Sequence, residues 1–93
     1  MQALVTRFGT VVRHLREAHG WSQERLAGLA ELNRSYMGEV ERGTVMPSLA
    51  TAAKLAQALG VPLSVLISRC EEEAPMAAPL VADLAVPLVA IAG

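Results

Sequence analysis

The chain has 93 residues, 53% of them hydrophobic but only 3% aromatic. That length holds one compact domain and excludes a second, and a core built from Leu, Val and Ala favours packed helices over a β-sandwich. The formal charge of −1 is unevenly placed: residues 1–70 carry all eight Lys and Arg against five acids, a net +3, whereas 71–93 carry Glu71, Glu72, Glu73 and Asp83.

In chain order, Leu4, Phe8, Val11, Val12 and Leu15 recur at helical spacing, which predicts a first helix from about residue 4 to 18 that stops at Gly20. Ser22 is placed to cap a second helix, whose buried side is read as Leu26, Ala27, Leu29 and Ala30. The capping box is incomplete, because Arg25 stands where a Glu would close it. Asn33 caps a short, mostly polar third helix with Met37 and Val40 on one face, and Gly43 offers the left-handed residue that ends it. Pro47 enforces an extended entry to a fourth helix, capped by Ser48, carrying Leu49, Ala52, Leu55, Ala56 and Leu59, and ended by Gly60. Pro62 suits the first turn of a fifth helix bearing Leu63, Leu66 and Ile67. The expected fold is all-α, a five-helix bundle over residues 1–70, followed by an acidic hinge and an apolar Ala/Val/Leu/Pro arm over 71–93.

Helices two and three, each about eight residues long and joined by about three, have the dimensions of a helix-turn-helix. The strings Trp21-Ser22-Gln23-Glu24-Arg25-Leu26-Ala27, Asn33-Arg34-Ser35-Tyr36-Met37, Glu41-Arg42-Gly43, Pro47-Ser48-Leu49 and Leu59-Gly60-Val61 sharpen the reading. In their order and spacing they resemble the Cro and lambda-repressor type helix-turn-helix family, also called the xenobiotic-response-element family. The likeness covers about residues 7–68. It implies a lambda-repressor-like bundle that binds double-stranded DNA and regulates transcription, as a repressor first of all.

Physical roles follow for particular residues. Gln23, in the first turn of helix two, can aim its amide at a phosphate oxygen, the role the resemblance also implies. Asn33, Arg34, Ser35 and Tyr36 open the third helix, the end a recognition helix presents to base edges. The Arg34 fork matches guanine O6 and N7; Ser35 suits a base or a phosphate; Tyr36 suits stacking, a backbone bond or packing; Asn33 is a cap before it is a reader. Glu39 is suited to accept from cytosine N4, to repel phosphates, or to pair with Arg42. The resemblance places Arg42 and the Thr44 loop near phosphates, and pairs Arg16 with Glu41 in a salt bridge that orients the third helix. Ala27 allows two helices to cross closely. Two departures stand out: Glu31 occupies a turn position where the family usually has Gly, at a cost on the order of 1 kcal/mol, and Gly28 and Gly38 lower helix propensity by about 1 kcal/mol each.

One recognition helix reads only a few base pairs, so a two-fold homodimer on a palindromic operator is expected, with half-sites roughly 34 Å apart. The apolar run 80–91 is read as a dimerisation arm or as packing on the back of helices four and five; disorder is the alternative. Length would allow a membrane anchor, but prolines at 75, 79 and 87 and Asp83 oppose one. The single cysteine, Cys70, cannot close an intramolecular disulfide, and His14 and His19 lack partners at ligand spacing, so no metal or cofactor is expected. A lone thiol without a secretory-type start fits the cytoplasm. No nucleophile–base pair or phosphate-cradling loop can be assembled, which argues against an enzyme. The competing function is an antitoxin or controller-type protein-interaction subunit built on the same bundle.

Overall fold

A computed structural model describes residues 2–72, and these form α1 (Gln2–Ala18), α2 (Gln23–Leu29), α3 (Arg34–Arg42), α4 (Leu49–Leu59) and α5 (Leu63–Glu72). No strand occurs among the described residues. The helix starts are set by local chemistry: Ser22 Oγ accepts from Arg25 N at 3.0 Å, and Ser48 Oγ accepts from Thr51 N at 3.1 Å. Pro62 stands just ahead of α5 rather than inside its first turn, and its carbonyl accepts the Leu66 amide at 3.1 Å. Glu71 and Glu72 belong to α5, so the helix continues past the boundary expected at residue 70. The apolar arm lies outside the described residues from residue 73 onward.

α1 packs on α3, α4 and α5, while α2 packs on α3 and α4. Phe8 and Val12 from α1, Leu26 from α2, Met37 and Val40 from α3, Leu55 from α4 and Leu66 from α5 are fully buried at the centre. Two residues assigned to the core by spacing are not in it. Leu29 is 43% exposed and Leu49 73% exposed. At about 100° per residue, Leu29 points roughly 100° away from the buried Leu26–Ala27–Ala30 arc, and Leu49 lies in the first turn of α4 at the edge of its stripe.

Polar contacts tie the helix ends together. Arg7 Nε donates to the Cys70 carbonyl at 2.7 Å, joining α1 to α5. His19 Nε2 donates to the Leu59 carbonyl at 3.0 Å, closing the end of α4, while the His19 ring stacks on Trp21 at a centroid distance of 4.1 Å.

Two backbone positions decide how closely α1 can cross α3. A Cβ on Gly9 would collide with the Val40 carbonyl and stand 2.7 Å from the Glu41 carbonyl, so only glycine permits this crossing. Gly43 ends α3 at φ 77°, and its α-carbon faces Thr6 of the same helix α1. In the turn between α2 and α3, Glu31 takes the left-handed conformation at φ 59°, the conformation expected to favour Gly there. The Leu32 amide donates back to the Ala27 carbonyl at 2.7 Å, holding the turn shut around it.

These positions respond oppositely to the same change. Gly9→Ala gains helix propensity but forces two backbone carbonyls aside, for a net loss of about 1–2 kcal/mol. Gly28 faces open space, so Gly28→Ala gains about 0.5–1 kcal/mol. Urea unfolding of both variants against the parent chain measures each sign.

Candidate nucleic-acid interface

The outward arc of α3 follows from its helical phase. Taking Arg34 as zero, Ser35, Gly38, Glu39 and Arg42 fall within about 140°, while Met37 and Val40 point the other way into the core. Arg34, Ser35, Glu39 and Arg42 are exposed, as is Thr44 just beyond the helix. Asn33 Oδ1 accepts from Ser35 N at 2.7 Å and Tyr36 N at 3.2 Å, so its carboxamide oxygen is committed to capping. Tyr36 is half-buried and packs its ring against the core, the last of the three uses open to it from sequence. Thr44 Oγ1 donates to the Glu39 main-chain carbonyl at 3.1 Å, and Glu39 itself is exposed. Glu39 and Arg42 do not pair among the described residues.

Behind this face lies a buried ionic junction. Arg16 Nε donates to Glu41 Oε2 at 2.7 Å and Arg16 Nη2 donates to Glu41 Oε1 at 3.1 Å, a two-pronged contact. Arg16 Nη1 also donates to the Trp21 carbonyl at 2.7 Å. The Glu41 side chain is only 3% exposed and that of Arg16 12%. The bond to Glu41 holds the Arg16 pKa above its ordinary value, against the opposing effect of burial.

Gln23 enters this junction. Its Nε2 donates to Glu41 Oε1 at 2.9 Å, so one amide hydrogen expected to face a phosphate is turned inward. The second hydrogen remains available, and the inward bond fixes the direction in which it points. Arg13, Arg16, Gln23, Glu41 and Arg42 line a shallow cleft between α1, the start of α2 and the end of α3. Arg13, which sequence reasoning did not single out, reaches this cleft while pairing at the surface with Glu17 at 3.1 Å.

Sequence reasoning also missed Gly38 as more than a weak helix former. It lies on the outward arc and is nevertheless buried. What covers it is the guanidinium of Arg42 and the carboxamide of Gln23: a Cβ placed there would meet Arg42 Nη1 at 3.0 Å and Gln23 Oε1 at 3.8 Å. Among the described residues no group of three or more His, Cys, Asp or Glu is arranged to hold a metal ion. No single helix among them is long and apolar enough to cross a membrane.

A short helix, a four-residue turn and a second helix with a capped start and a polar outer face define a helix-turn-helix DNA-binding domain of a transcription regulator. Residues 7–66 match the family model described as a helix-turn-helix domain, and the chain belongs to that family. The HTH-type transcriptional regulator SutR of Escherichia coli (strain K12) is 35% identical over 75 residues, which make up 81% of this chain but 42% of SutR. The chain therefore spans less than half of that relative. Control protein C.BamHI of Bacillus amyloliquefaciens is 40% identical over 72 residues, covering 71% of this chain and 89% of the relative. Among solved structures, the restriction-modification controller protein C.AhdI from Aeromonas hydrophila is similar at a TM-score of 0.65 and 48% identity, over 67% of this chain and 94% of the other.

Removing one partner of the buried pair strands the other. Glu41→Ala is expected to cost about 3 kcal/mol, while the double change Arg16→Met with Glu41→Leu recovers most of that loss. Urea midpoints for the single and double variants test this.

Proposed function

We propose that the chain regulates transcription, foremost as a repressor, by binding a palindromic operator as a two-fold homodimer, with α3 of each copy in the major groove. The observation that carries this reading is the solvent-facing arc of α3, whose Arg34 and Ser35 stand at the capped end with no ion pair among the described residues. Arg34 reads guanine through a bidentate contact, Ser35 bonds a base or phosphate, and Glu39 accepts from cytosine. Gln23, Arg42 and Thr44 fix register by contacting phosphates, and Asn33 serves by capping.

The match to control protein C.BamHI along 89% of its length, and to the control protein C.MunI of a Mycoplasma species along 100% of its length, supports a controller-type regulator. Such a protein acts through DNA occupancy, in the cytoplasm, and catalyses no reaction. The apolar sequence of residues 80–91 supplies surface for self-association; ultracentrifugation of a chain shortened at residue 73 should return the monomer mass where the full chain returns a dimer.

Selection of bound duplexes from a random pool should return an inverted repeat with half-sites roughly 34 Å apart. Against a panel of altered operators, Arg34→Ala should lose about 1–3 kcal/mol and relax preference at one base position, whereas Gln23→Ala should weaken every sequence alike. Equal losses across the panel for Arg34→Ala would remove it from base reading.

A further inference from the structure

We propose that Gly38 is a positioning residue for DNA binding: the notch left by its missing side chain seats the Arg42 guanidinium beside the Gln23 carboxamide, so that both address the same backbone phosphate. This rests on the DNA-binding reading above and adds to it a residue that itself touches no DNA.

Three observations converge. Gly38 is buried although its helical phase faces outward, and the atoms that bury it belong to Arg42 and Gln23. Arg42 forms no ion pair among the described residues, so no counter-charge neutralises its guanidinium there. Gln23 is oriented independently, by its bond to the buried Glu41 carboxylate at 2.9 Å. The Gln23 carboxamide, with Oε1 toward the notch and Nε2 toward Glu41, and the unpaired Arg42 guanidinium thus meet at one place, the cleft they share with Arg13 and Arg16. The unneutralised guanidinium, with the second Nε2 hydrogen of Gln23 beside it, suits a singly charged phosphodiester oxygen. Glycine inside a helix lowers its propensity, so alanine at this position gains helix stability unless its methyl group meets an obstacle.

The obstacle that alanine would meet at 3.0 Å is the far end of a flexible side chain, so the fold can yield while the guanidinium is displaced. Stability and binding should therefore separate. In the full chain, Gly38→Ala is expected to keep or raise Tm, to weaken binding to the selected operator about three- to tenfold, and to reduce the salt slope of binding by about one phosphate contact. Added to Arg42→Ala, it should cause no further loss, because the two changes remove one interaction. Methylphosphonate substitution scanned along the operator should find one phosphate per half-site whose neutralisation erases the difference between Gly38→Ala and the parent chain.

A Gly38→Ala chain that binds like the parent overturns the proposal, as does a loss that persists in full beside Arg42→Ala, which would mean the new methyl group clashes with DNA. A fall in Tm would show Gly38 to be structural and overturn it as well. A parent chain that retains no duplex from the pool removes the DNA-binding reading itself, and is thereby distinguished from failure of the Gly38 role alone.

Discussion

The contact between Arg16 and the buried Glu41 carboxylate sets the geometry on which the outer face depends. Glu41 lies in the last turn of α3, Arg16 near the end of α1, and Gln23 at the first residue of α2, so one carboxylate joins three helices. A carboxylate that is 3% exposed must find donors, and the arrangement supplies three from side chains. Such a pair contributes little net stability compared with apolar packing, but it tolerates few alternative geometries. Its consequence is directional: rotating α3 about its axis would pull Glu41 out of the Arg16 fork and swing Arg34 and Ser35 away from the protruding face.

The backbone crossing at Gly9 supplies the second half of this constraint. With α1 in contact with the carbonyls of Val40 and Glu41, the C-terminal end of α3 is held close, and Gly43 against Thr6 extends the contact by one turn of chain. The capped end near Asn33 is held differently, by Tyr36 and Met37 packing inward. α3 is therefore clamped at its far end by backbone and charge and at its capped end by the core, leaving only the outer arc free.

Much of this was legible from local chemistry. Ser22, Asn33 and Ser48 cap as their residue types dictate, Gly43 and Gly60 end helices in the left-handed region, and Glu31 accepts the strained turn. Those signals reside within four residues of chain. What escaped depends on contacts between segments far apart in sequence. Gly9 reads as a mild defect in a helical stripe until α3 is laid across it, and Gln23 reads as a free amide until Glu41, 18 residues on, is brought to it. Leu29 and Leu49 read as core, being apolar residues near their stripes, yet Leu29 lies off the buried arc of α2 and Leu49 stands at the edge of the stripe in the first turn of α4. The resemblance to a known family supplied the Arg16–Glu41 pairing, which composition and spacing alone do not imply.

The partition of α3 into two faces also separates what selection can change cheaply. Arg34, Ser35, Glu39 and Arg42 are not part of the core cluster, so substitutions there leave the packing of Met37 and Val40 untouched and, on the function proposed above, would alter recognition. Unpaired cations on a small surface repel one another, but in water and salt that repulsion is weak beyond about 10 Å. The inner face has the opposite property: its changes alter stability first and recognition only through the angle of the helix. Gln23 and Gly38 belong to neither class, since each lies where the ionic junction meets the outer arc. At such boundary positions a side chain is chosen for where it puts its neighbours, and that is why an intrinsically poor helix former is compatible with the middle of the helix on which the whole surface turns.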